Sequence, residues 1–291
     1  MKKAFLQLHA AIFLAGFTGV LGRLIELNEA LLVWYRMMFA SIALLILYFS
    51  TKKISKANLH DTSVLMGIGG IIALHWVSFY GSIKYANVSV SLVCFSAIGF
   101  FSAILDPLIS KRKFEWIELF LGGVVIIGIY LMFHFDPRFR IGILFGIVSS
   151  LLAAVFPILN KQMMQKHQPE TITLYEMTGG FFILTVLLPF YLAYFPTQQL
   201  LPTIPDFLWL LVLSLFCTVL AFNLSVRSLS KISPFTVNLS FNLEPVYGIA
   251  LAFIFFKEYK EVGLSFYIGI AIIFLTVVIQ TLRVYKQTGR K

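Results

Sequence analysis

Ten predominantly apolar stretches follow one another along this 291-residue chain, at 5–24, 31–50, 64–84, 88–110, 116–133, 141–160, 171–193, 206–226, 234–256 and 262–282. Each is close to the length of about 20 residues that a helix needs to cross a bilayer. The hydrocarbon interior offers no water to the backbone, so a segment of this length must satisfy its own peptide groups, and a helix does so. The links between stretches are short and leave no room for a soluble domain. The chain is therefore predicted to be an all-α polytopic membrane protein with ten transmembrane helices. Its charge content agrees: 12% of residues are Asp, Glu, Lys or Arg, where a soluble domain carries roughly a quarter. The opening "MKKAFLQLHAAIFLAG" has the basic start of a secretory signal but no A-x-A site, and is read as an uncleaved first span.

The formal net charge is +10. No polar segment interleaves basic residues with aromatics, so nucleic-acid binding is excluded and the charge points to basic loops at an anionic membrane face. With the N-terminus inside, sixteen Lys and Arg fall on the cytoplasmic side and seven outside, which accounts for all 23. The longest outer link, 194–206, has none. The positive-inside rule thus predicts a multi-pass protein of the inner (cytoplasmic) membrane with both termini cytoplasmic. Monomer and homodimer both remain open.

The chain repeats. A shift of 146 residues lays 95–127 on 241–273 with eight of 33 positions identical, among them Phe95/Phe241, Lys111/Lys257 and Glu115/Glu261. Both copies hold a fourth span, a basic link and a fifth span. Halves of five spans, at 1–137 and 138–291, must enter the membrane in opposite senses. Two inverted five-helix repeats suit alternating access around a site near the midplane.

The stretch "LEPVYGIALAFIFFKE", with Pro245 followed thirteen residues later by Glu258, resembles the second-repeat signature of the EamA-type branch of the drug/metabolite transporter superfamily. "LAGFTGVLGRLI" (14–25) and "LVWYRMMFA" (32–40) are similar to its first and second helices, so the resemblance covers essentially the whole chain. The first repeat departs, with Gly99 and Arg112 where Pro and Glu would stand. The resemblance implies transport of small metabolites, often export, through a cavity between helices 1–4 and 6–9. No cofactor is expected.

Glu244 sits about ten residues from each end of its span, roughly 15 Å deep at 1.5 Å per residue. A carboxyl there needs a partner or a wet cavity, which makes it a candidate proton carrier. Pro245 cannot donate to the Phe241 carbonyl, which leaves that oxygen free beside a helix break. The alternative is that Glu244 bonds a neighbouring helix and Pro245 only kinks its own. On a continuous helix Ser240, Glu244 and Tyr247 share one face, with Asn242 and Pro245 nearly opposite, and the Glu244 face is favoured.

Arg36 and Glu176 are a second candidate pair. Each lies about five residues into its span, near 8 Å deep, and they correspond at a shift of 140. The alternative for Arg36 is snorkelling to the headgroups. In the third span, His75 with Phe79 and Trp76 with Tyr80 line two adjacent faces at i, i+4, a sandwich for an apolar substrate or else a packing stripe. The imidazole ordinarily titrates near neutral pH. Asn223 and Arg227 form an i, i+4 pair at the inner end of the eighth span, read as a solvated helix end.

Cys94 and Cys217 lie in apolar stretches and read as small core side chains. No metal site, phosphate loop or nucleophile elbow is present. The expected function is a secondary transporter, not an enzyme, moving an amino acid or related amphipathic compound, with protons as the candidate coupling ion and the ion's identity left open. An integral membrane enzyme acting on lipid or prenyl substrates and a passive facilitator are the competing classes.

Overall fold

A computed structural model describes residues 2–51, 55–133, 137–241 and 243–288. Among the described residues the regular structure is helical throughout. The helices are α1 (Lys2–Leu24), α2 (Glu29–Thr51), α3 (Leu59–Tyr85), α4 (Val88–Phe95), α5 (Ile98–Ser110), α6 (Trp116–Phe133), α7 (Arg140–Met163) and α8 (Pro169–Tyr194). They are followed by α9 (Ile204–Ser214), a π-helical turn (Leu215–Leu220), α10 (Ala221–Ser228), α11 (Pro234–Phe241), α12 (Glu244–Phe256) and α13 (Leu264–Thr288). By length and composition, seven described helical segments can cross a membrane, with shorter apolar helices at 116–131, 244–256 and 264–276.

Helix α3 lies at the centre, packed along α7 and α8. The α3–α8 crossing depends on glycine: a Cβ on Gly69 would collide with the Glu176 carbonyl, and one on Gly180 would stand 2.6 Å from the Gly69 carbonyl oxygen. Without side chains at these points the two backbones meet directly, the usual means of close helix contact in lipid. Large apolar side chains such as Leu6, Phe120, Leu144, Phe190 and Ile254 project from the outside of the bundle, where a soluble protein would place charge.

Polar networks tie both ends of the bundle. At the end where α1 meets α2, Arg23 pairs with Glu258, Lys84 Nζ donates to the Ile25 carbonyl at 2.9 Å, and the Glu26 N–H donates to Asp206 at 2.9 Å. At the other end Asp61 accepts from Lys166 and faces His167 at 3.0 Å, and Arg227 pairs with Glu170. Arg227 Nε also donates to Asn223 at 2.6 Å within α10, and its 39% exposed side chain makes this both the solvated helix end expected and a bridge to Glu170 on α8.

Two features recur at a separation of 146 residues. The helix breaks between Phe95 and Ile98, and again between Phe241 and Glu244. Lys111 and Lys257, with φ of 54° and 56°, are the non-glycine residues with positive φ among the described residues, and each ends the helix that follows a break. Left-handed conformation is uncommon outside glycine. Its appearance at both copies of one position agrees with the register of the sequence repeat.

Candidate functional site

The break before Glu244 shapes the site. Leu243 caps α12, Glu244 and Pro245 fill its first two positions, and the missing proline N–H falls where a helix start has no acceptor for it. Pro245 thus begins a helix rather than kinking one, and the Glu244 side chain turns into a cavity. Ser240 belongs to the preceding helix and donates to the Thr236 carbonyl at 2.8 Å. Tyr247 packs edge-on against Phe13, with ring centroids 5.7 Å apart, and is partly exposed. The continuous face expected for Ser240, Glu244 and Tyr247 therefore does not exist, because the break changes the helical phase between them. Asn242 lies outside the described residues.

Seventeen residues line the cavity, which has about 660 Å³ of empty space, counting what opens beyond its mouth. Arg36, His75, Trp76 and Glu244 are among them. Twelve of the seventeen form six pairs separated by 146 residues: Ala11/Pro157, His75/Ala221, Trp76/Phe222, Phe79/Ser225, Phe95/Phe241 and Ile98/Glu244. Both chain breaks open onto it. Its chemistry is nonetheless asymmetric, since the first half supplies Arg36 and His75 and the second supplies Glu244.

Arg36 is 2% exposed and does not snorkel. Its Nε donates to Thr218 Oγ1 at 2.6 Å, Nη1 to the Tyr80 hydroxyl at 2.8 Å, and Nη2 to the Cys217 carbonyl at 3.2 Å. Cys217 and Thr218 belong to the π-helical turn, a distortion frequent at functional sites. Tyr80 is fully buried and positions the guanidinium from behind, so the expected Trp76–Tyr80 sandwich becomes a support on which Trp76 alone meets the cavity. The three bonds use three of the five guanidinium N–H donors, which leaves two for a ligand. Glu244 is near enough for electrostatic attraction to Arg36.

His75 Nδ1 lies 2.8 Å from Ser149 Oγ and 2.9 Å from the Ser149 carbonyl, and its ring stacks on Phe95 with centroids 5.6 Å apart. Ring and hydroxyl thus hold the imidazole in one orientation at the cavity wall. Glu176 is elsewhere: it is completely buried on α8, with Asn160 of α7 as its polar neighbour. Arg36 and Glu176 do not meet.

Sequence reasoning assigned no role to Glu258. It is fully buried after α12, pairs with Arg23, and accepts from the Val88 N–H at 3.1 Å, the Ser89 N–H at 2.8 Å and Ser89 Oγ at 2.5 Å. One carboxylate so caps the N-terminus of α4 and joins it to α1 and α12. Its place in the signature quoted above was the available signal, but a glutamate beside two lysines also reads as a wet loop.

The family model described as "EamA-like transporter family" matches residues 2–134 and again 140–282. A protein of Archaeoglobus fulgidus named as an uncharacterized transporter is 24% identical over 75% of this chain and 78% of its own. Another such transporter, YetK of Bacillus subtilis, is 26% identical over 94% of this chain and 87% of its own. A solved crystal structure, 13% identical and covering 99% of both chains, superposes with a TM-score of 0.69 and shares the fold.

Proposed function

The chain belongs to the EamA-like transporter family and is a membrane transporter, and from that premise we propose that it is not an enzyme and that it exports an amino acid or related amphipathic metabolite across the cytoplasmic membrane by alternating access. Ten spans, in inverted repeats of five divided near residues 137 and 138, place both termini in the cytoplasm. The observation that carries this reading is the composition of the cavity wall, twelve of whose seventeen residues pair at a separation of 146. A wall built from matched positions of two halves can be presented to either side by rocking one half on the other.

The chemistry of the wall supports the substrate class. Two free N–H donors on Arg36 suit a carboxylate, bound in bidentate fashion. Glu244 suits an amine or a proton. Trp76, Phe79, Phe95, Phe156 and Phe222 surround the space between with apolar surface, as in most small-molecule sites. Coupling to protons assigns Glu244 the titrating role, since it is the carboxylate on the wall. The test is metabolite profiling of cells with and without the protein, followed by uptake of the responding compound into liposomes. A compound that accumulates against its gradient under an imposed pH difference supports the reading. Equilibration without accumulation makes the protein a facilitator.

A further inference from the structure

Among the described residues, Glu176 is a carboxyl group with both oxygens buried and without a hydrogen bond of ordinary geometry. Its polar neighbour is Asn160, 1% exposed, whose side-chain oxygen and nitrogen are likewise unpartnered. Two adjacent buried side chains with four open polar atoms are rare in native interiors and call for an occupant.

Charge from neighbouring helices does not fill this need. On the elements packed against α8, Arg36 is held by Thr218, Tyr80 and Cys217, His75 by Ser149, and Asp61 by Lys166 and His167. Arg227 of α10 pairs with Glu170 on α8 itself, and Lys161 beside Asn160 donates to the Leu229 carbonyl. An ionised carboxylate with no counter-charge in so dry a cell is strongly unfavourable. A proton answers both deficits, because it gives Glu176 an O–H that donates to Asn160 Oδ1, while the Asn160 amide N–H can donate to the other carboxyl oxygen.

We propose that Glu176 and Asn160 form a proton-binding site beside the α3–α8 crossing, distinct from the cavity that holds Arg36 and Glu244. The site is joined to that cavity through α7, since Phe156 and Pro157 on the cavity wall lie one turn before Asn160. Pro157 removes one backbone bond within α7, so the turn carrying Asn160 can pivot against the part of α7 that precedes it. The site lies within two turns of the α7–α8 link at 164–168, which gives the released proton a short route to water. Loss of the proton leaves an unpaired carboxylate in a dry interior beside the α3–α8 crossing, and that charge favours entry of water. The site's part in a transport cycle rests on the transporter reading above; the existence of the site does not.

The test is infrared spectroscopy of the purified full-length protein in liposomes, titrated with acid and base and with no substrate present. A neutral carboxyl has a C=O stretch separate from that of carboxylates and shifts on deuteration. The expected result is a neutral-carboxyl band at neutral pH that disappears in E176Q, persists in E244Q, and shifts in frequency in N160A. The shift in N160A reports the same contact if E176Q fails to fold. A spectrum in which E176Q removes no neutral-carboxyl band, or in which N160A leaves the band unmoved, overturns the proposal. Either outcome is independent of whether transport is observed.

Discussion

The Arg36 guanidinium carbon lies 3.6 Å from the centroid of the Trp76 ring. Stacking on one face and three hydrogen bonds along the edge fix the plane of the group, so its two remaining donors point in set directions. Arg36→Lys keeps the charge but loses the planar fork. We expect both Arg36→Lys and Arg36→Gln to reduce transport more than tenfold, and Arg36→Gln to lower stability by roughly 1–3 kcal/mol through the partners left unbonded. Initial uptake rates in liposomes and thermal unfolding in detergent check this. Full transport in the lysine variant would show that only charge matters at this position.

Glu258 should matter to stability more than to substrate recognition. Glu258→Ala removes a helix cap and leaves Arg23 without its buried partner, which should cost roughly 3 kcal/mol. In Arg23→Gln/Glu258→Gln the two losses should be less than additive, because they share one interaction. Melting temperatures of the two singles and the double decide the matter. Strict additivity would mean that the pair contributes nothing beyond its separate bonds.

Much of this architecture was legible in the chain itself. The all-helical character follows from hydropathy, because lipid imposes one answer on an apolar stretch of that length, but the spans expected at 88–110 and 234–256 each divide into two helices. The 146-residue shift matches the register in which the structure repeats its chain breaks and its left-handed lysines, but the break before Ile98 and the conformation of Lys111 and Lys257 had no signal in the chain beyond that alignment. Arg36, His75, Trp76 and Glu244 were candidates by depth and residue type. What could not be read was which of them converge. Ser240 and Tyr247 were placed on Glu244's face by assuming an unbroken helix, and Arg36 and Glu176 were paired by symmetry of position rather than by contact. Glu258 escaped because burial of a loop residue depends on elements distant in sequence. The π-helical turn at Leu215–Leu220 left no pattern in an apolar run.

Orientation rests on the division of basic residues between the two sides, sixteen against seven. Single cysteines placed in the 52–56 link should react with an impermeant reagent only after permeabilisation. Cysteines at 198–203 should react in intact cells. The opposite pattern would reverse the topology and move the Arg23–Glu258 network to the cytoplasmic end.

Glu244 faces the cavity opposite the copy that contributes Ile98, so a carboxylate is not demanded by packing at this place in the fold. Its place on the wall points to chemistry, either holding a substrate amine or exchanging a proton. Glu244→Gln separates these roles. Glutamine keeps the shape and offers a hydrogen-bond donor and acceptor, as the protonated acid does, but it has no proton to release. If Glu244 couples transport to protons, the Gln variant should fold, carry out substrate counterflow within about threefold of the parent, and lose the response to an imposed pH gradient by more than tenfold, a difference above 1.4 kcal/mol in driving. Counterflow survives because exchange of substrate for substrate needs no net proton movement. If Glu244 instead holds the substrate amine, the charge is needed in both assays, and counterflow and driven uptake should fall together. Transport with unchanged pH dependence would remove Glu244 from the coupling step and leave it a polar wall residue.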